Sequence, residues 1–173
     1  MLSVQPPILH RLKKEYPFSY ITWISDYPEL LPVQVDEKIK FSDRTVSWIA
    51  TRTFDICIYL DKDNEAIAII ERLMCEHKYG FGMDEYGRAC ALNPMAEQKL
   101  LTGIFNDISK QNTKSYPQEI FEIYGYRFEG EKYIIKNTST RDFRLDQSRQ
   151  VIGFNTGCGS RWPSRLWPME YWQ

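Results

Sequence analysis

"FDICIYLDKDNEAIAIIERLMCEH", from Phe54 to His77, decides how the chain reads. Phe54 to Leu60 is nearly all apolar, which suits a central strand covered on both faces. Asn64 to His77 then carries a broad apolar stripe and reads as a helix, which places His77 near a helix C-terminus. An apolar strand leading into an amphipathic helix is the unit of a parallel α/β sheet.

Outward from this unit the alternation continues. "QPPILHRLKKEYP" sets Ile8, Leu9, Leu12 and Tyr16 at helical spacing, with prolines at its start and Pro17 at its end. "SYITWIS" and "EKIKFS" follow as short strands. "YGFG" reads as another short strand and "RACALN" as irregular. Asn93 and Pro94 form an N-cap and first position for a helix carrying Leu101, Ile104, Phe105 and Ile108. Ser115 with Gln118 and Glu119 opens "YPQEIFEIYG" as a capping box, and Gly125 stops it. "EKYIIK" is a strand or an extended linker, and "NTSTRDFRLDQSRQ" an exposed connection. The expected fold is an α/β, Rossmann-like parallel sheet.

Composition limits the function classes. The chain has 173 residues, 43% hydrophobic and 26% charged, as in an ordinary globular domain. A net charge of -1 argues against nucleic-acid binding through bulk electrostatics. Cys57, Cys75, Cys90 and Cys158 lack the short spacings of zinc or redox motifs, and only His10 and His77 could join them as soft ligands. Buried reduced thiols and no metal are expected. No apolar run approaches the roughly 20 residues of a bilayer span, and the amino terminus lacks a signal-peptide pattern, so the expectation is cytoplasmic.

Candidate chemistry belongs at the carboxyl ends of the strands. Asp61 and Asp63 follow Leu60 there, as substrate or cation contacts or as caps of the next helix. Asp84 and Glu85 follow "YGFG" with the same two readings. His10, Arg11, Lys13 and Lys14 make a basic helix face. No nucleophile with an assisting base is visible. The closing stretch "VIGFNTGCGSRWPSRLWPMEYWQ", Val151 to Gln173, reads as a strand, a glycine turn and a helix start. Such a turn lets backbone N–H groups meet an anion, with Arg161 and Arg165 adding charge. It matches neither the Walker A loop nor the dinucleotide fingerprint, since Trp162 stands where the last glycine would be.

"GFNTGCGSRWPSRLWPMEYW" resembles the start of the C-terminal domain of glycosyltransferase family 9, the ADP-heptose lipopolysaccharide heptosyltransferases. "PPILHRLKKEYPFSYITWIS", "FDICIYLDKD" and the segment from Tyr79 to Tyr126 resemble successive parts of the N-terminal domain of that family. The resemblance implies the acceptor half of a two-Rossmann-domain (GT-B) transferase over residues 1–150 and the opening of the nucleotide-sugar domain over 151–173. It implies ADP-heptose and the lipopolysaccharide core as partners, peripheral contact with the inner membrane, and no cofactor. Thr156, Gly157 and Arg165, with Arg161 beside them, would meet the donor phosphates; Asp61, Arg11 and Lys14 would lie on the acceptor side.

The chain departs from the pattern at both ends. The family's opening strand ends in a Gly-Asp turn whose aspartate is the proposed general base. That position falls at about Met1, so the first strand, the base and most of the donor domain are expected to be missing, and the chain alone to be inactive. Two other readings stay open at this point: a non-catalytic α/β binding module or gene remnant with a basic acceptor-side face, and an unrelated nucleotide-binding Rossmann domain.

Overall fold

The computed structural model describes residues 6–133, 144–146, 148–153, 166 and 168–171. The chain divides into two units, Met1–Lys136 and Asn137–Gln173. In the second unit the described residues hold one 3-10 turn, Met169–Tyr171, and Val151 to Gly153 form no strand.

The first unit opens with α1, Pro6–Glu15. Its prolines occupy positions where no intrahelical N–H partner exists, and Lys13 and Lys14 in its last turn offset the helix dipole. β1, Thr22–Ser25, pairs in parallel with β2, Glu37–Lys40, from Thr22 opposite Glu37 to Ser25 opposite Lys40. Ser42 then caps α2, Asp43–Ile49, by accepting the Thr45 N–H at 3.2 Å. β3, Thr53–Tyr59, leads through α3, Asn64–Arg72, into β4, Met74–Met83, which lies parallel to β3. β5, Ala89–Ala91, returns antiparallel on the far side of β4. Three helices follow: α4, Pro94–Ile104; α5, Asn106–Gln111; and α6, Tyr116–Ile123.

The architecture is α/β with parallel strand pairs, as expected of a Rossmann-like domain. The described strands nevertheless form two sheets, β1-β2 and β3-β4-β5, rather than one. β3 is accordingly an edge and not a centre. Its only described neighbour is β4, Asp55 in its middle is exposed, and Ile56 and Ile58 are half-buried.

Two apolar clusters hold the unit together. The larger gathers Ile8 of α1, Ile67 of α3, Phe81 of β4, Ala96 of α4 and Ile120, Phe121 and Ile123 of α6. The smaller joins Leu9 of α1 to Leu31 and Val35, with Ile21 and Trp23 packed against them. Neighbouring residues of one helix thus face different sheets. Burying each such side chain stabilises the fold by roughly 1.5–3 kcal/mol before conformational entropy is counted.

Several local expectations are corrected. The helix read through His77 stops at Arg72, and Met74 to His77 belong to β4, where pairing with β3 outweighs the continued apolar stripe. His77 therefore lies on a strand and not at a helix end. "RACALN" contains β5, which its pairing with Phe81 to Met83 makes regular. The helix expected to run from Asn93 through Ile108 breaks at Phe105, whose backbone is extended. Neither Asn93 nor Ser115 caps with its side chain. Asn93 instead accepts the Gly80 N–H at 3.1 Å and donates to the Ile123 carbonyl at 2.7 Å, tying β4 to α6.

Gly125 does end α6. At φ +82 its N–H reaches the Glu122 carbonyl at 2.9 Å, and the Tyr126 N–H returns to Phe121 at 2.9 Å. Gly80 is constrained more sharply: at φ +103, a Cβ there would lie 1.7 Å from the Tyr59 carbonyl oxygen across the ladder.

Candidate functional site

The carboxyl end of β3 brings charged and phenolic groups together. After buried Leu60 the chain turns through Asp61, Lys62 and Asp63 into α3. Asp63 accepts the N–H groups of Glu65 at 3.0 Å and Ala66 at 3.2 Å, so its carboxylate closes the first turn of α3. Asp61 makes no such cap. One of its oxygens takes the Lys62 N–H at 2.8 Å and its side chain is exposed.

Lys62, between them, turns inward. Its ammonium donates to the Lys99 carbonyl at 2.6 Å and sits 5.1 Å from the Phe81 ring centroid. Burial pulls its pKa below the ordinary lysine value; the Lys99 charge adds to that, and Glu119 opposes it. Gly103 leaves room for this ammonium, since a Cβ there would lie 2.2 Å from Lys62 Nζ.

Glu119 of α6 is buried and fully engaged. Lys99 pairs with one of its oxygens, and Asn112 donates to the other at 3.0 Å. The Lys99 ammonium also lies 4.4 Å from the Tyr116 ring centroid. Burial raises the Tyr116 pKa, and the charges of Asp61 and Glu119 add to the shift, with Tyr133 also contributing. Tyr59 is raised in the same way, by burial first and then by Asp61 and Asp63. Asp61 and Tyr133 are exposed, Tyr116, Lys62 and Lys99 are half-buried, and Glu119 is buried.

A second polar concavity runs along α1. His10, Arg11 and Lys14 line it on one side, and Glu129, Gly130 and Glu131 on the other. Arg11 packs its guanidinium 4.9 Å from the Tyr126 ring centroid and is neutralised by Glu15 at 3.1 Å and Glu129 at 3.8 Å. Lys13 points elsewhere, to Asp36 at 2.8 Å and the Ser19 carbonyl at 2.7 Å. The basic face read from the sequence thus becomes a mixed-charge pocket. Arg11 and Lys14 meet in it; Asp61 is not among its lining residues.

Of the remaining sequence candidates, Asp84 is structural. It accepts N–H groups of Tyr86 and Arg88 and the Arg88 guanidinium, each at 2.9 Å, holding the turn between β4 and β5. Those bonds, led by the one from the Arg88 backbone, keep its pKa below the ordinary value. Cys57 is buried and its thiol is pushed up to about 12, chiefly by desolvation, so it is no thiolate nucleophile near neutral pH. Cys75 and Cys90 are also free thiols. Thr156, Gly157, Arg161, Arg165 and Met1 lie outside the described residues.

Among the described residues no three His, Cys, Asp or Glu side chains gather as a metal site, and no helix is long and apolar enough to cross a membrane. Sequence reasoning missed Lys62, Lys99 and Glu119. The alternation Asp61-Lys62-Asp63 after an apolar strand carried a signal for the first; Glu119 was masked by its fit to a capping box.

The cluster can bind more readily than it can react. An exposed carboxylate accepts paired hydroxyl groups, a phenol donates and accepts, and a tyrosine ring offers an apolar face. No protein-family model, curated protein or solved structure matches the chain.

Proposed function

We propose that the chain carries the acceptor-binding part of a GT-B glycosyltransferase of the heptosyltransferase type, in its amino-terminal α/β domain. The observation that carries the reading is exposed Asp61 just past the carboxyl end of β3, where an α/β sheet presents its ligand groups, with the charges of Asp61 and Tyr133 both acting on Tyr116. Asp61 would accept hydrogen bonds from neighbouring sugar hydroxyls, and the tyrosines would flank the ring. By the same resemblance Thr156, Gly157, Arg161 and Arg165 would meet the diphosphate of ADP-heptose. Positive side chains and backbone N–H groups can stabilise that leaving group without a metal.

Titration of the chain with lipopolysaccharide core oligosaccharide, followed by NMR, tests this. Perturbation of residues 61–63 and 116, weakened about tenfold by Asp61→Asn, is the expected result. Absence of binding at millimolar oligosaccharide would refute the acceptor role.

A second reading is a non-catalytic module that meets acidic sugars or phosphates through Arg11, Lys13 and Lys14; of these Lys14 lines the pocket of α1 with no ion pair among the described residues, whereas Arg11 is paired with Glu15 and Glu129 and Lys13 with Asp36. Binding that survives Asp61→Asn but is lost with Lys14→Ala would select it.

A further inference from the structure

The concavity along α1 holds two opposite charges that do not neutralise each other. The Lys14 ammonium makes no ion pair among the described residues, and Glu131 across from it accepts only the Glu129 N–H, at 2.8 Å through Oε2. We propose that this pocket binds a small zwitterion of the amino acid type, its carboxylate held by Lys14 and its ammonium by Glu131. The site is independent of the one beyond β3 and stands whether or not the transferase reading holds.

The other lining groups are already committed. The Arg11 guanidinium lies 4.9 Å from the Tyr126 ring centroid and is shared between Glu15 at 3.1 Å and Glu129 at 3.8 Å. Glu129 is thereby engaged by Arg11, which leaves Lys14 and Glu131 as the groups open to a ligand. His10 stands one turn before Lys14 on the same face of α1 and adds a ring nitrogen to that wall. Between the two glutamates Gly130 sits at φ +88, where glycine is favoured, and the place its Cβ would take meets no atom within 4 Å. The space between the carboxylates therefore stays open.

Charge balance selects the ligand. Arg11 and Lys14 bring two cations to the pocket, and Glu129 and Glu131 bring two carboxylates. A simple anion gains from Lys14 but meets both glutamates, and a simple amine meets the reverse, so attraction and repulsion offset. A ligand carrying both charges a few bonds apart is attracted at each end. The volume, about 270 Å³, lies below the roughly 300–1,000 Å³ of sites for drug-sized molecules, which limits the ligand to a few heavy atoms. Lys14 is exposed and Glu131 half-buried, so each contact is partly screened and the binding is weak.

NMR titration of the full chain with glycine, β-alanine and γ-aminobutyrate, which differ in charge separation, tests this against butyrate, butylamine and inorganic phosphate. Amides of residues 10–14 and 129–131 should shift with at least one zwitterion at a Kd of about 1–10 mM, and every probe of a single sign should bind about tenfold more weakly. Lys14→Ala and Glu131→Gln should each weaken the zwitterion about tenfold, with thermal midpoints within about 2 °C of the parent. Glu131→Gln keeps an amide oxygen that can accept the Glu129 N–H, so its effect reports the lost charge. Asp61→Asn should leave this binding unchanged. Absence of shifts with every zwitterion at about 100 mM would overturn the proposal. So would phosphate binding as tightly as the best zwitterion, which would return the pocket to acidic ligands.

Discussion

β1 and β2 are four residues each and rest on a cluster of three buried side chains, whereas β3 and β4 run to seven and ten residues over a cluster of nine. The larger sheet is held by shape: Phe81, Phe121, Ile67 and their neighbours exclude water from one another. The smaller is held as much by polar ties, Lys13 to Asp36 and Arg52 to Glu37. Unequal burial implies unequal local stability, so the amino-terminal pair should open before the β3-β4-β5 sheet does.

The largest expected effect comes from the larger core. Phe121→Ala empties a fully buried site and should cost about 3–5 kcal/mol, read as a lower urea midpoint. A cost below about 1 kcal/mol would mean that this cluster is not the core of the unit. Next is Glu119→Ala, which leaves the Lys99 ammonium in a mostly buried setting without its partner; about 3 kcal/mol is expected, with Glu119→Gln less harmful because Asn112 keeps an acceptor.

Leu9→Ala should cost about 2–3 kcal/mol and act unevenly. Hydrogen exchange should speed up in β1 and β2 while β3 and β4 hold, and equal acceleration in both sheets would show that they unfold as one.

The smallest effect is acid sensitivity. Lys13, with the Ile21 N–H, holds Asp36 below its ordinary 3.8, and Arg52, with the Thr22 hydroxyl, holds Glu37 below its ordinary 4.5. A depressed carboxylate contributes stability that is present above the unfolded value and is lost as pH falls through the folded one. The thermal midpoint should thus decline as pH drops below about 4, and Asp36→Asn with Glu37→Gln should flatten that decline. Protection of β1 and β2 that does not change between pH 6 and pH 3 would count against these ties.

Helices α1, α4 and α6 and strands β1 to β3 were legible because their causes are local: apolar spacing, prolines at helix starts, Gly125 at a helix end. Met74 to His77 could not be read correctly, since Leu73, Met74 and Cys75 extend an apolar stripe as well in a helix as in a strand. Only the ladder to Thr53, Phe54 and Ile56 decides between them. β5 is too short to show a period, and Asn93 looked like a cap because its two distant partners, Gly80 and Ile123, are invisible in sequence. At the candidate site Asp61 was found from its place after an apolar strand, while Lys99 and Glu119 come from helices about 40 and 60 residues later, brought in by packing.

The sequence by itself determined the α/β alternation, the placement of Asp61 and Asp63 after β3 and the basic run of α1, because each depends on neighbours within a few residues. Tertiary structure alone decided that Asp63 caps while Asp61 stays exposed, that Lys62 turns inward, that Glu129 and Glu131 face the basic run, and that β1 and β3 do not pair. Those outcomes depend on which distant backbone and charges lie alongside, and burial and hydrogen bonding settle them only once the chain has closed on itself.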